Sequence, residues 1–136
     1  MARAIVVCGS AGAGKSTWAR NLAASEPGKY VIIERDAIRQ LQGYPPVGSP
    51  EQERHVTKVQ NGQIEAALLD GFVPIVSNTN TNKGIRKSLI RQLHKFGADV
   101  EVKVIHPSLE VVLAQNAERG DAAVPESVVK KMWQAL

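Results

Sequence analysis

Cysteine is nearly absent from this chain, with Cys8 alone among 136 residues. One thiol forms no intrachain disulfide and no zinc cluster, so Cys8 is expected to pack in the core, in a reducing compartment. Aromatic residues make up only 4% of the sequence, which excludes a surface built on extensive stacking of bases against rings. Trp18 is expected in the core. The three histidines, His55, His94 and His106, fall in separate elements without ligand spacing, so no metal centre is built from them. No apolar run approaches the length of a bilayer span, and MARAIVV leads straight into a strand, so the expectation is a cytoplasmic protein with no membrane partner. Internal repeats, low-complexity tracts and interdomain linkers are missing too.

What is present has the scale of one compact domain over residues 1–136, 43% hydrophobic. The net charge of +4 favours an anionic partner. A nucleotide would satisfy that as well as a nucleic acid.

The sequence is most specific at Gly9-Ser10-Ala11-Gly12-Ala13-Gly14-Lys15-Ser16-Thr17, which matches G-x-x-x-x-G-K-[ST] directly after the apolar run at 4–8. That run is short, β-branched and bounded by glycine, as a buried parallel strand is. Glycines let the backbone curl until successive N–H groups face phosphate oxygens, and the helix N-terminus behind them adds partial positive charge. The motif predicts a nucleoside triphosphate site. Lys15 would reach the β- and γ-phosphates, Ser16 would ligate Mg²⁺, and Thr17 supplies a further hydroxyl.

Strands at 30–33, 73–76 and 100–105 alternate with helices at 17–24, 36–42, 51–69, 83–96, from Pro107 to Gly120, and 126–135. Residues 43–50 form a proline-rich loop. In the helix over 83–96, Ile85, Leu89, Leu93 and Phe96 form one apolar stripe. The pattern predicts an α/β fold, a parallel sheet of about four strands with helices on both faces, whose ligands bind where strands end. That rule selects the glycine-rich loop, Glu34-Arg35-Asp36, Ser77-Asn78-Thr79-Asn80 and His106. Asp36 can serve as the base that orients an attacking hydroxyl, while helix capping accounts for an aspartate there equally well. Asn78 offers oxygen without charge.

Taken in order, GSAGAGKSTWAR, ERDAIRQ, SNTNTN and ERGDAAVPESVVKKM resemble the kinase domain of the bacteriophage 5′-polynucleotide kinases over residues 4–133. The resemblance implies a P-loop kinase with a C-terminal arginine lid. It implies ATP and Mg²⁺ as cofactors and transfer of the γ-phosphate to a hydroxyl of nucleic acid, DNA before RNA. On this basis Lys15 and Ser16 hold the triphosphate and metal, Asp36 is the general base, and Arg39 binds the phosphate beside the acceptor hydroxyl. Thr79 belongs with Asp36 and Arg39 on the acceptor side. Arg119 neutralises the transferring group from the lid. This chain has Asn78 where the family has aspartate. It also resembles the kinase part alone, so removal of 3′-phosphates is not expected.

Two rivals stand beside the 5′-hydroxyl acceptor, and a small-molecule kinase on the same scaffold stays open. The first keeps the mechanism but phosphorylates a base hydroxymethyl group, such as 5-hydroxymethyluracil, during phage DNA modification. The second is an ATP-gated nucleic-acid binder without catalysis. Lys83, Lys87, Arg91 and Lys95 fall at i, i+4 spacing and form a basic stripe, suited either to a phosphate backbone or to solvent. Oligomeric state is not encoded in any recognisable pattern.

Overall fold

The computed structural model describes residues 2–78 and 83–136, so Thr79 and Asn80 lie outside the described residues. The elements run β1 (Arg3–Cys8), α1 (Lys15–Ser25), β2 (Tyr30–Ile33), α2 (Arg35–Gln42), α3 (Pro50–Leu69), β3 (Val73–Ser77), α4 (Lys83–Lys95), β4 (Asp99–Val104) and α5 (Leu109–Ala117). A 3₁₀ turn (Gly120–Ala122) and α6 (Glu126–Gln134) complete the order. The four strands are parallel in the order β2-β3-β1-β4, with Ile5 opposite Ile75 and Val6 opposite Val102. Helices flank this sheet.

Alternation along β1 divides the core in two. Ala4, Val6 and Cys8 face α3 and α4 with Ile33, Ile64, Val76, Leu89 and Leu93. Ile5 and Val7 face α1 with Ala19, Val73 and Ile75. Each such aliphatic side chain, when fully buried, contributes about 1.5–3 kcal/mol. Trp18 packs on this second cluster, as its sequence context predicts. Burial pushes the Cys8 thiol above its usual pKa, against the opposing influence of Arg86.

Local chemistry sets the helix ends. Ser49 caps α3, its hydroxyl accepting from Gln52 N at 3.2 Å while the Gln52 side chain accepts from Ser49 N at 2.9 Å, and Pro50 occupies the first turn. α5 begins at Leu109 under a Ser108 cap, two residues later than the expected start at Pro107, because the serine hydroxyl accepts from Val111 N. It ends at Ala117 rather than Gly120. Glycine 120 instead takes φ 59 and opens the 3₁₀ turn. Ile85 departs from the expected buried stripe and is 63% exposed, since the core contacts of α4 run through Leu89, Ile90 and Leu93 further along.

A third cluster fixes the loop between β1 and α1. Ala11 and Ala13 pack against Val112 and Val129, so α5 and α6 form the wall behind it. Gly12, at φ 82, lies so close to α5 that a Cβ would meet Val112 O at 2.5 Å. Gly12→Ala should therefore lose about 1–3 kcal/mol from backbone strain alone, with the steric conflict added to that. Thermal melting of the variant measures the loss. An unchanged melting temperature would contradict this packing.

Candidate active site

The loop turns directly into α1. Gly14, the residue before the helix, has φ 96, a left-handed conformation that carries the chain from the turn into the first helical residue, Lys15. That junction aims the first backbone N–H groups of α1 along the helix axis, where an anion is stabilised. Lys15 Nζ donates to Ser10 O at 2.8 Å across the loop. Ser16 donates its hydroxyl to a Glu34 carboxylate oxygen, linking α1 to the end of β2.

These groups open onto a cleft of about 610 Å³ lined by the loop, Glu34, Asp36, Arg39, Asn78 and Arg119, among others. Its volume suits a nucleotide. Burial lowers the Lys15 pKa from 10.5 to about 8, with Asp36 pulling it up and Arg119 pushing it down.

Asp36 sits in the first turn of α2, but it is not the cap: Glu34 holds that position and makes no side-chain capping bond. The capping explanation of Asp36 therefore fails. Its carboxylate instead accepts from Arg39 NH1 at 2.7 Å and from Arg119 NH2 at 3.3 Å. Arg119, on the turn after α5, thus meets a residue of α2 across the cleft.

Arg39 is the tighter partner. Its Nε donates to Glu53 Oε2 at 2.9 Å and its NH2 to Glu53 Oε1 at 2.5 Å, a fork-to-carboxylate arrangement with only 13% of the arginine side chain exposed. Glu53 also receives Arg35 NH2 at 3.2 Å. Its pKa falls to about 2, chiefly through the hydrogen bond from Arg39 and, after burial has opposed it, through Arg35. The same pairing holds Arg39 above its usual pKa. No sequence motif marks Glu53, because the contact joins the first turn of α3 to α2.

Asn78 was selected by its place after β3, and its amide is engaged on both sides. Oδ1 accepts from Arg35 N at 2.8 Å, and Nδ2 donates to Gln60 Oε1 at 2.8 Å. Gln60 is 5% exposed and was not marked by any motif. Asn116 is likewise legible only in three dimensions. Its amide donates to Val124 O at 2.8 Å and accepts from Val124 N at 3.0 Å, closing the segment that carries Arg119.

The remaining candidates separate from this group. His106 stacks edge-on against Trp133, with ring centroids 4.7 Å apart, and does not line the cleft. Thr17 lines the cleft and is exposed. The four side chains of the basic stripe on α4 are exposed. Among the described residues, no helix is long and apolar enough to cross a membrane.

Comparison with known proteins agrees with this architecture. A family model described as an AAA domain matches residues 5–136. A chain of the Pnkp1/Rnl/Hen1 RNA repair complex is similar at 25% identity and a TM-score of 0.87, covering 99% of this chain and 44% of that one. The present chain thus spans less than half the length of that relative. Kti12 of Chaetomium thermophilum, in complex with ADP-AlF3, is similar in fold at 20% identity and a TM-score of 0.72, covering 97% and 79% of the two chains. Shikimate kinase from Acinetobacter baumannii is similar in fold at 16% identity and a TM-score of 0.68, covering 98% and 75%.

The lowered Lys15 pKa has a definite sign in solution. Below about pH 8 the lysine is charged in both folded and unfolded chains; between about 8 and 10.5 only the unfolded chain keeps the proton, so Lys15 makes stability rise with pH there. Nucleotide binding runs the other way, because the phosphates need the ammonium. Affinity for ATP should fall by up to about tenfold per pH unit above pH 8, with proton uptake on binding. Calorimetry in buffers of different ionisation enthalpy measures both. Constant affinity from pH 7 to 9.5 without proton uptake would contradict a buried lysine at the phosphates.

Proposed function

The chain belongs to the AAA domain family and has the parallel sheet fold of P-loop kinases, and from that premise we propose that it is an ATP-dependent phosphotransferase acting on a hydroxyl of nucleic acid. The 5′-hydroxyl of DNA or RNA is the acceptor this reading favours. One observation carries the proposal: Lys15, Ser16, Asp36 and Arg119 line a single cleft although they come from three distant stretches of the chain. A simple nucleotide binder needs the first two. A carboxylate and a facing arginine add the parts of a transfer reaction.

In that reaction the acceptor hydroxyl loses its proton to Asp36 as its oxygen bonds to the γ-phosphorus, and the bond from that phosphorus to the β–γ bridging oxygen breaks to release ADP. Lys15 counters charge on the β- and γ-phosphates. Arg119 leaves Asp36 for the nonbridging oxygens of the transferring group, where its planar fork binds two oxygens and cannot lose its proton. The Ser16 hydroxyl, with the Glu34 carboxylate bonded behind it, offers a hard oxygen that fits Mg²⁺, an ion usually held by one or two protein groups with phosphates and waters. Magnesium supplies charge neutralisation between the phosphates when bound.

The acceptor side supports a polyanion. A smaller recess of about 240 Å³ leads away from Asp36, lined by Arg39, Gln40, Tyr44, Pro46, Arg119 and Asp121. Of the five N–H donors of a guanidinium, Arg39 engages three with Glu53 and Asp36, leaving two for a phosphate beside the hydroxyl. The similarity to a chain of an RNA repair complex points the same way.

Incubation with γ-labelled ATP and three substrates tests the acceptor: DNA with 5′-hydroxyl ends, RNA with 5′-hydroxyl ends, and circular DNA containing 5-hydroxymethyluracil. Label is expected on an end-bearing substrate and not on the circle, and Asp36→Asn should slow transfer roughly a hundredfold while nucleotide affinity stays within a few-fold. Label on the circle alone would overturn the terminal hydroxyl in favour of the base. Full activity in Asp36→Asn would remove the proposed general base.

A further inference from the structure

Among the described residues, four carboxylates line the cleft, and they are not in equivalent states. Asp36 and Glu53 are each paired with two arginines. Glu118 caps the far end of α5 on the opposite wall. Glu34 differs from these, because its carboxylate accepts the hydroxyl proton of Ser16 in the phosphate loop.

Local helix chemistry does not account for that contact. Glu34 occupies the N-cap of α2, where a short side chain would turn back to a free backbone N–H, yet it makes no capping bond. Its longer side chain reaches across to α1 instead. The contact also has a direction. A hydroxyl that donates its proton to Glu34 leaves its oxygen lone pairs available to a cation on the phosphate side. Carboxylates behind a metal ligand commonly fix its orientation in this way.

The end of β3 cannot supply the same charge. Asn78 is neutral, and both ends of its amide are engaged, by Arg35 N and by Gln60 Oε1. It ties β3 to α2 and α3 as a brace. Glu34 lies at the mouth of the neighbouring strand, close enough to Lys15 to oppose the fall in its pKa.

We propose that Glu34 is the acidic positioning residue of the divalent-cation site, orienting the Ser16 hydroxyl towards a nucleotide-bound Mg²⁺ and providing the carboxylate charge that Asn78 lacks. The proposal rests on the nucleotide-binding part of the kinase reading and not on the identity of the acceptor.

The test uses Mn²⁺ as a paramagnetic substitute for Mg²⁺ and ADP as the nucleotide, so no turnover is needed. Metal-free ADP affinity is measured first by calorimetry. Mn²⁺ affinity of the protein–ADP complex is then read by electron paramagnetic resonance for the wild type, Glu34→Gln, Ser16→Ala and the double variant. Glu34→Gln should keep metal-free ADP affinity within a few-fold and lose roughly ten- to a hundredfold in Mn²⁺ affinity. The double variant should lose less Mn²⁺ affinity than the two single losses combined, since Glu34 acts in part through that hydroxyl. Glu34→Asp, whose shorter arm keeps the charge near the site, serves as the second acidic variant and should retain more Mn²⁺ affinity than Glu34→Gln. Wild-type Mn²⁺ affinity in Glu34→Gln, or fully additive losses in the double variant, would overturn the proposal. Failure of the wild type to bind ADP at all would instead remove the nucleotide site beneath it.

Discussion

Asp36 is held between two arginines that come from different directions, and the organisation of the cleft follows from that arrangement. Arg39 reaches it from one turn further along α2, with its own guanidinium clamped by Glu53 of α3. Arg119 reaches it from the segment after α5. In the first contact Arg39 is only 13% exposed and clamped by Glu53, so it keeps its place; the second is longer, and its partners Arg119 and Asp36 are 30% and 54% exposed. Charge pairs near solvent are worth little by themselves, typically about 0–1 kcal/mol, so a polyphosphate can draw Arg119 away at small cost. Fixed on one side and exchangeable on the other, the carboxylate keeps its position while its cationic partner can change.

The same division appears in the backbone. The phosphate loop is rigidly backed, since Ala11 and Ala13 pack on Val112 and Val129 and Gly12 leaves no room for a side chain beside α5. The two bonds between Asn116 and Val124 then close the chain that carries Arg119 on the very helix that supports the loop. Position of the loop and position of the arginine thus both depend on α5. Buried amides that satisfy a backbone donor and acceptor together are costly to break, because either partner would be left without a hydrogen bond.

Much of this was legible in the sequence, for a physical reason. A loop that must wrap phosphates constrains consecutive residues, so Gly9 to Thr17 carry their purpose within a short span, and the parallel strands follow from apolar runs between helical periods. Boundaries shifted where a side chain decided them: the Ser108 hydroxyl starts α5 after Pro107, and α1 begins at Lys15 because the loop curls straight into the helix. Ile85 has helical spacing with Leu89 and Leu93, but spacing does not show where a helix leaves the core. Glu53, Gln60 and Asn116 were not legible, since each acts on a partner from another element or across a loop. Glu34 was flagged by its place after β2, but its contact with Ser16 depends on the packing of α1 beside the sheet.

Arg119 and Asp36 are expected to part when substrates bind, the arginine going to the transferring phosphoryl group and the carboxylate to the acceptor hydroxyl. A crystal structure with ADP, aluminium fluoride, Mg²⁺ and a 5′-hydroxyl oligonucleotide tests it directly. Arg119 should then lie on the fluoride group, Asp36 within about 2.6–3.2 Å of the acceptor oxygen, and Arg39 still on Glu53. A complex in which Arg119 remains paired with Asp36 while the fluoride group is bound would contradict it.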